Sequence, residues 1–405
     1  MSIKNTSIVL LILIMCPLIG MGVDLIAPSL PTISRELNVS TAYTKNLISI
    51  YLLAYALGNL ITGFLSDALG RKKLLLIGSA LFILASLLPV AYAVYEMVLL
   101  ARFLQGLAMG AYATLFRAIF SDVVPQERLK HTLTWLATMW GIGPVIGPMI
   151  GGYLQYYLSW EACFYFFILY GVICFFLIYV FIPETISEFK PLNGQLIKNN
   201  FKLLSKNWTF IGIIILMGAA YSVFIVFNIL GPFLVQVVLK HSVVYFGRMA
   251  LLLGCTFLAS TFFCRYCLKK WDSYRVLQTA AWIGFSITLI TLLLSYFYAQ
   301  NIYLIFISTA SLFFISGVLY PTGMGMGISF FREQAGSASA MMNFTNVLIT
   351  AATGFVMSFM SKSAMSVFFT NSILMLIILI CYQFFIKPRI VNVRREYYEQ
   401  SQEIK

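Results

Sequence analysis

The chain has 405 residues, of which 60% are hydrophobic and 10% are charged, and its mean hydropathy is +0.90. About a quarter of the residues in a soluble globular domain are charged, so this composition excludes that class and predicts an integral membrane protein. A formal charge of +13 would suggest nucleic-acid binding in a soluble protein, but in a membrane protein the basic residues must first be assigned to loops.

Twelve apolar segments follow one another along the chain, and each has about the 20 residues that a membrane-spanning helix needs. A polar interruption near mid-chain separates six segments from six, which predicts an all-α membrane protein with 12 transmembrane helices. We predict an N-terminal six-helix bundle at 1–185, a cytoplasmic linker at 186–208, a C-terminal six-helix bundle at 209–388 and a cytoplasmic tail at 389–405. The predicted spans are residues 8–31, 43–66, 74–94, 97–121, 132–155, 161–182, 209–236, 245–268, 275–298, 302–329, 336–360 and 364–386.

Loop charges predict the orientation of the chain in the membrane. If Lys4 lies inside, the cytoplasmic side collects 21 of the 27 Lys and Arg residues, the other side collects 4, and Arg102 and Arg248 fall within spans. Because cytoplasmic loops are enriched in Lys and Arg, both termini are predicted to be cytoplasmic. The imbalance also accounts for the net charge without a nucleic-acid partner.

The first predicted span carries one carboxylate, Asp24, in an otherwise apolar run. A charge at the centre of a membrane helix costs about 2.5 to 3.5 kcal/mol on insertion scales, so such a residue usually has a function. The alternative is that Asp24 already lies in the interface. At 1.5 Å per residue, Asp24 lies about 6 Å and Arg102 about 7.5 Å from the outer edge of a ~30 Å core. The two charges can therefore share a level, with Gln105 one turn from Arg102.

Proton exchange needs an acid whose surroundings change. Apolar surroundings favour a protonated carboxylic acid in general, and a nearby arginine favours the ionised form. No other Asp or Glu falls deep in a predicted span, so Asp24, Arg102 and Gln105 are the predicted proton-coupling residues. An intramembrane enzyme would need a second deep acid or membrane-level histidines, so we predict no catalytic site, no metal and no cofactor other than the coupling proton.

The two halves of the chain share a faint internal repeat. A shift of 204 residues places the segment Asp24–Pro28 on Asn228–Pro232 and Arg71 on Arg275. Duplicated halves are how many transporters build a site at the interface between repeats. The repeat is asymmetric, because Asn228 cannot titrate.

Four motifs have a residue order more specific than that of a basic turn or of a small-residue packing face. The loop after the second span reads G-x-L-S-D-x-x-G-R-K-K from Gly63 to Lys73, so its glycines permit a tight turn and its basic residues anchor it at the inner surface. The fourth span contains R-x-x-Q-G from Arg102, and the sixth ends in Pro183-Glu-Thr. The fifth contains G-P-x-x-G-P-x-x-G-G, which permits close packing and bends the helix. The residues of this fifth-span hinge motif are Gly143, Pro144, Gly147, Pro148, Gly151 and Gly152.

These motifs resemble those of the major facilitator superfamily, and within it the chain is similar to the 12-helix drug/proton antiporters. The bicyclomycin/chloramphenicol efflux branch is the most similar, on the segments 24–31 and 336–340 and on Arg117 with Asp122. One departure is the second-half loop 269–275, which lacks the signature glycines. The resemblance implies two six-helix pseudo-repeat bundles around a central cavity. It also implies a cytoplasmic gate motif formed by Gly63, Asp67, Gly70, Arg71, Lys72 and Arg117.

The resemblance further implies which helices line a substrate cavity. Aromatic and methionine side chains make adaptable walls suited to apolar or cationic ligands. Because 16% of the chain is aromatic, packing or lipid contact is the competing explanation for each of them. The predicted cavity residues are Met21, Tyr51, Tyr55, Tyr112, Trp140, Tyr221, Phe224, Asn228, Tyr320, Asn343 and Asn346.

The predicted function is proton-coupled export of a small amphipathic or drug-like compound by a monomer in the bacterial inner membrane. The same motifs would serve a proton-coupled importer of a siderophore or metabolite, which stays an alternative. A membrane sensor on a transporter scaffold is a further alternative, but it would need an output domain, and neither the linker nor the tail is large enough to fold as one.

Overall fold

A computed structural model describes residues 3–186, 189, 206–298, 300–331 and 335–388. Within these residues, 12 helices are long and apolar enough to cross a membrane, and no β-strand occurs. The prediction of an all-α protein with 12 spans is confirmed. The helices are α1 (Asn5–Glu36), α2 (Thr41–Leu69), α3 (Arg71–Ala91), α4 (Tyr95–Val123), α5 (Gln126–Tyr157), α6 (Ala162–Phe181), α7 (Trp208–Val238), α8 (Val243–Lys270), α9 (Ser273–Tyr298), α10 (Ile302–Phe330), α11 (Ala338–Ser358) and α12 (Ala364–Ile386).

The chain groups into two compact units. Unit 1 consists of Met1–Asn193, Phe227–Cys255 and Ala351–Lys362, and unit 2 consists of Gly194–Val226, Thr256–Thr350 and Ser363–Lys405. Most of the predicted linker and the whole predicted tail lie outside the described residues. The predicted bundle boundaries stay a prediction.

Prolines divide α1, together with the two residues before it, into three helical segments, Ile3–Met15, Pro17–Asp24 and Leu30–Glu36. A proline has no N–H, so the carbonyl four residues before it loses its helical partner. Pro28 lies in a 3-10 turn and in this way ends the segment at Asp24. Pro31 lies in the first turn of the last segment, where a missing N–H is harmless. The predicted end of the first span at Pro31 is therefore corrected to Glu36.

The hinge motif of α5 packs directly on α1. A Cβ atom at Gly143 would meet the Pro17 carbonyl and the Met21 amide, and one at Gly151 would meet the Leu25 carbonyl. These two glycines lie two turns apart on one face of α5, so α1 and α5 approach each other backbone to backbone.

A second face of α5 packs on the first turns of α8 within unit 1. A Cβ atom at Gly152 would lie 3.0 Å from the Val243 carbonyl oxygen, and one at Gly247 would lie 2.8 Å from the Pro148 carbonyl oxygen. The dense G-P repeat of α5 therefore has a packing reason: its small residues face two neighbouring helices at once.

In unit 2, α9 packs against α10 and α12. A Cβ atom at Gly284 would lie 2.9 Å from Met375 Sδ and 3.0 Å from Ile315 Cγ2. Ser372 Oγ of α12 also donates to the Thr288 carbonyl of α9 at 3.4 Å. Small residues thus permit close helix packing in this unit as well.

The close approach at Gly151 predicts a stability difference between two glycine substitutions. Gly151→Ala has to displace the Leu25 backbone, and overpacking of this kind costs about 1 to 3 kcal/mol. Gly325→Ala is a matched control, because a Cβ atom there meets nothing within 4 Å. We expect Gly151→Ala to lower the apparent Tm in detergent and Gly325→Ala to leave it unchanged or raise it. Equal Tm values for the two variants would refute the packing assignment.

Candidate functional site

Asp24 is enclosed by protein at the end of the second segment of α1. It is 2% exposed, and it is the only buried Asp or Glu in the part of the chain that the structure describes. Asn228 of α7 donates from Nδ2 to Asp24 Oδ1. Asn228 is also the residue that the internal repeat aligns with Asp24, so repeat-equivalent positions of α1 and α7 are in direct contact within unit 1.

The amide of Asn228 is suited to holding an acid that changes its protonation state. A carboxylate accepts on both oxygens, and a protonated carboxylic acid still has an oxygen that accepts. Because Asn228 occupies Oδ1, Asp24 Oδ2 is the atom at which a proton can arrive or leave without disturbing this hydrogen bond.

Arg102 of α4 is fully buried, and its donors are directed at oxygen atoms on three helices. Its guanidinium donates to the Gly22 carbonyl at 2.7 Å, to Gln105 Oε1 at 2.8 Å and to the Leu47 carbonyl at 3.4 Å. The Gly22 carbonyl belongs to the last turn of the segment that ends at Asp24, where carbonyl groups lack helical partners. A cation there satisfies the carbonyl and complements the negative end of the helix dipole.

Two further contacts extend this network across the unit. The Arg102 guanidinium lies 4.2 Å from the centroid of the Tyr51 ring, a cation–π contact. Gln105 Nε2 donates to Ser86 Oγ at 2.7 Å, and that hydroxyl donates to the Phe82 carbonyl at 2.7 Å. The buried charge therefore joins α1, α2, α3 and α4 beside Asp24.

Arg102 does not form an ion pair with Asp24. Among the described residues, the ion pairs within 4.0 Å join Arg71 to Asp67 and to Asp122. Arg102 instead binds the backbone two residues before Asp24, and the two charges interact electrostatically without touching. Asp24 can thus gain or lose a proton without breaking a salt bridge.

In unit 2, four predicted cavity residues lie together. The Tyr221 ring lies 5.9 Å from that of Phe224 and 6.0 Å from that of Tyr320. Asn346 Nδ2 donates to the Tyr320 hydroxyl at 3.0 Å. The cluster combines aromatic faces with a buried amide, which is the usual make-up of a small-molecule pocket.

The other predicted cavity residues have different surroundings. Tyr51 and Tyr55 stack at 6.5 Å, and both are buried. The Tyr112 hydroxyl is hydrogen-bonded to Ser79 in the packing between α4 and α3. Asn343 Nδ2 donates to the Ser339 carbonyl of its own helix at 2.8 Å. Of the remaining predicted cavity residues, Met21 is buried and Trp140 is half-buried.

The loop between α2 and α3 holds a compact charge cluster. Gly70 has a φ of 91°, a conformation that favours glycine, and it turns the chain directly into α3. Arg71 then pairs with Asp67 at 2.6 Å and with Asp122 at 3.3 Å. Gly63 lies one turn before Asp67 on α2, and the Arg117 side chain is exposed on α4.

The role of Glu184 was not predicted from the sequence. Its carboxylate accepts from the backbone N–H groups of Arg71 at 2.8 Å and Lys72 at 3.1 Å, so it caps the N-terminus of α3. A Cβ atom at Gly70 would collide with this carboxylate. The Pro183-Glu-Thr terminus was the available signal, but its partner lies over 100 residues away in sequence.

Charge counting places Lys45 on the non-cytoplasmic side, near the start of the second predicted span, and the structure buries it in the first turns of α2. Its side chain is 1% exposed, donates from Nζ to the Met360 carbonyl at 2.8 Å and lies 5.6 Å from the Phe233 ring centroid. The positive charge satisfies a carbonyl just beyond the end of α11. No local sequence pattern indicates this contact.

The twelve helices and the buried polar network define a multi-pass membrane transporter. The family model of the Major Facilitator Superfamily matches residues 12–353, and the chain belongs to that superfamily.

Several known proteins are similar to this chain. Multidrug resistance protein D of Escherichia coli is 23% identical over 84% of this chain and 85% of its own length. A bicyclomycin resistance protein homolog of Haemophilus influenzae is 30% identical over 52% of this chain and 53% of its own length. The crystal structure of a D-xylose–proton symporter has a TM-score of 0.75, with 15% identity over 94% of this chain and 97% of the other.

These matches confirm the superfamily and the drug-resistance relatives that the motifs predicted. They also confirm the fold. The aligned segment spans 85% of the length of the Escherichia coli relative. It spans 53% of the length of the Haemophilus influenzae relative, which is less than two thirds.

The capping role of Glu184 predicts a loss of stability on its removal. Glu184→Ala leaves two N–H groups of α3 without their acceptor, and loss of a helix cap costs about 0.5 to 2 kcal/mol. Glu127→Ala is a matched control, since Glu127 is an exposed acid in the first turn of α5. We expect a lower apparent Tm for the first variant and little change for the second. The capping role would be contradicted if both variants melted at the wild-type temperature.

Proposed function

We propose that this transporter exports small amphipathic or drug-like compounds in exchange for protons. The observation that carries the proposal is Asp24, the one buried acid in the described ranges, lying at a break in α1 and hydrogen-bonded to Asn228. Ionisable residues inside a membrane protein are costly and usually mark a proton or ion pathway. Asp24 would bind the proton, and Arg102 would supply the fixed positive charge beside it.

Competition at Asp24 would couple the two transported species. A proton neutralises the acid, and a bound cation or hydrogen-bond donor stabilises its ionised form. Each would therefore weaken the binding of the other, which is the thermodynamic requirement for exchange. The transporter would alternate between inward-open and outward-open states as its two repeats move around the binding site.

The substrate class is proposed from two sources. Aromatic faces with one amide, as in the Tyr221, Phe224, Tyr320 and Asn346 cluster, suit ligands that are mostly apolar with a few polar groups. The names of two relatives refer to multidrug resistance and to bicyclomycin resistance. We extend that property to this chain as a proposal.

The membrane location and the orientation of the transporter are proposed from its charge pattern and its relatives. Loop charges favour both termini in the cytoplasm, and the relatives in Escherichia coli and Haemophilus influenzae favour a bacterial inner membrane. We propose a monomer that needs no cofactor beyond the coupling proton.

Transport in liposomes tests the role of Asp24. Asp24→Asn keeps the size of the side chain and an oxygen that can accept from Asn228, but it cannot bind and release a proton. A panel of toxic cations and antibiotics, including bicyclomycin, is first screened for proton-driven movement by the wild type. We expect Asp24→Asn to reduce that movement to the level of protein-free liposomes.

Two controls distinguish a loss of proton coupling from a folding defect and establish the direction of transport. Glu96→Gln neutralises an exposed acid at the start of α4 and is expected to transport as the wild type does. Reversing the imposed gradient distinguishes export from proton-coupled import. Unchanged gradient-driven transport by a correctly folded Asp24→Asn variant would refute the proposal.

A further inference from the structure

A second polar site lies away from Asp24, on the exposed surface where α5 and α8 meet. Arg248 is the sixth residue of α8, and its side chain is exposed. It donates from Nε and from an NH2 group to the Tyr153 hydroxyl of α5, at 3.1 and 2.9 Å. Its guanidinium also lies 5.8 Å from the centroid of the same ring.

The charge of Arg248 is not balanced by protein. Both of its contacts are with a neutral tyrosine, and no Asp or Glu of the described chain lies within ion-pair distance. Lys240, just before α8, adds a second positive charge. An arginine on the surface of a membrane helix is costly unless its head group reaches water or an anion.

A shallow and open apolar groove of about 260 Å³ runs along α5 beside this arginine, and all of its lining residues belong to that helix or to its C-cap, Leu158. Tyr153 belongs to both features, because its ring lines the groove and its hydroxyl binds Arg248. At the end of the groove nearest the C-terminus of α5, the side chains of Tyr157 and Leu158 are 72% and 71% exposed. The other lining residues are Met149, Ile150 and Leu154.

The arginine and the groove lie at complementary depths. Arg248 and Tyr153 lie within six residues of the adjoining helix ends, or about 6 to 8 Å along the axis, so both lie near the outer edge of the predicted membrane core. Tyr156 and Tyr157 mark the same level, because tyrosines concentrate at membrane interfaces. From there the groove continues along α5 toward Met149, about two turns farther from the helix end than Tyr157 and so deeper in the predicted span.

We propose that this surface binds one anionic phospholipid. The Arg248 guanidinium binds the lipid phosphate, for which arginine has suitable donors, and an acyl chain lies in the α5 groove. Positive charge at the interface attracts an anionic head group more strongly than a zwitterionic one. The site is independent of the transport direction and of the proton coupling proposed for Asp24.

Native mass spectrometry of the full-length protein tests the site. The delipidated protein is titrated with dioleoylphosphatidylglycerol or dioleoylphosphatidylcholine, and bound lipids are counted. Arg248→Gln removes the charge, Ile150→Trp fills the groove, and Arg35→Gln removes an exposed arginine at the end of α1 as a matched control. The expected result is one tight phosphatidylglycerol in the wild type and in Arg35→Gln, and its loss in the other two variants.

A parallel measurement guards against a folding defect. The apparent Tm of Arg248→Gln without lipid should equal that of the wild type, while the Tm rise on adding phosphatidylglycerol should be smaller. The site is refuted if Arg248→Gln binds phosphatidylglycerol as the wild type does. It is equally refuted if the wild type binds phosphatidylcholine as tightly as phosphatidylglycerol.

Discussion

A fully buried guanidinium has to have its donors satisfied, and this requirement at Arg102 organises the first four helices. Desolvation of an arginine costs several kcal/mol unless hydrogen bonds replace its water. The Gly22 and Leu47 carbonyls, Gln105 and the Tyr51 ring fulfil this role. Each of these groups has a position set by its own helix, so the arginine holds α1, α2 and α4 in register.

The break in α1 makes one of these contacts possible. An uninterrupted helix would use the Gly22 carbonyl in its own ladder, but the segment ends at Asp24 because Pro28 cannot continue the hydrogen-bonding pattern. The same break leaves Asp24 at a helix end, beside the arginine but not paired with it. In our account this arrangement leaves the acid free to exchange a proton, while its hydrogen bond to Asn228 links it to the repeat-equivalent helix.

Features that depend on local pattern were predictable from the sequence. Apolar runs gave the twelve spans, and the G-P repeat of α5 indicated close packing on its neighbours. Asp24 stood out because a charge in an apolar run is costly. Contacts between distant segments were not predictable in the same way. The similar depth predicted for Asp24 and Arg102 does not bring them into an ion pair, and Arg102 instead donates to the Gly22 carbonyl, because depth gives no information on the rotation of a helix about its axis.

The missed residues share a physical reason. Glu184 and Lys45 are charged side chains near helix ends, where sequence alone indicates contact with water or with lipid head groups. Both satisfy backbone groups at the end of another helix, and these partners are 113 and 315 residues away in sequence. The repeat offset of 204 residues did indicate one distant contact, since Asp24 and Asn228 meet at that separation.

The competition proposed at Asp24 can be tested by counting the protons released when substrate binds. Purified protein in weakly buffered detergent solution is mixed with a compound that the transport screen identifies, and a soluble pH indicator reports the release. Competition between proton and substrate at Asp24 predicts that the wild type releases protons on binding and that Asp24→Asn binds the compound without releasing any. Equal proton release by both proteins, or binding to the wild type with no release at any pH, would contradict it.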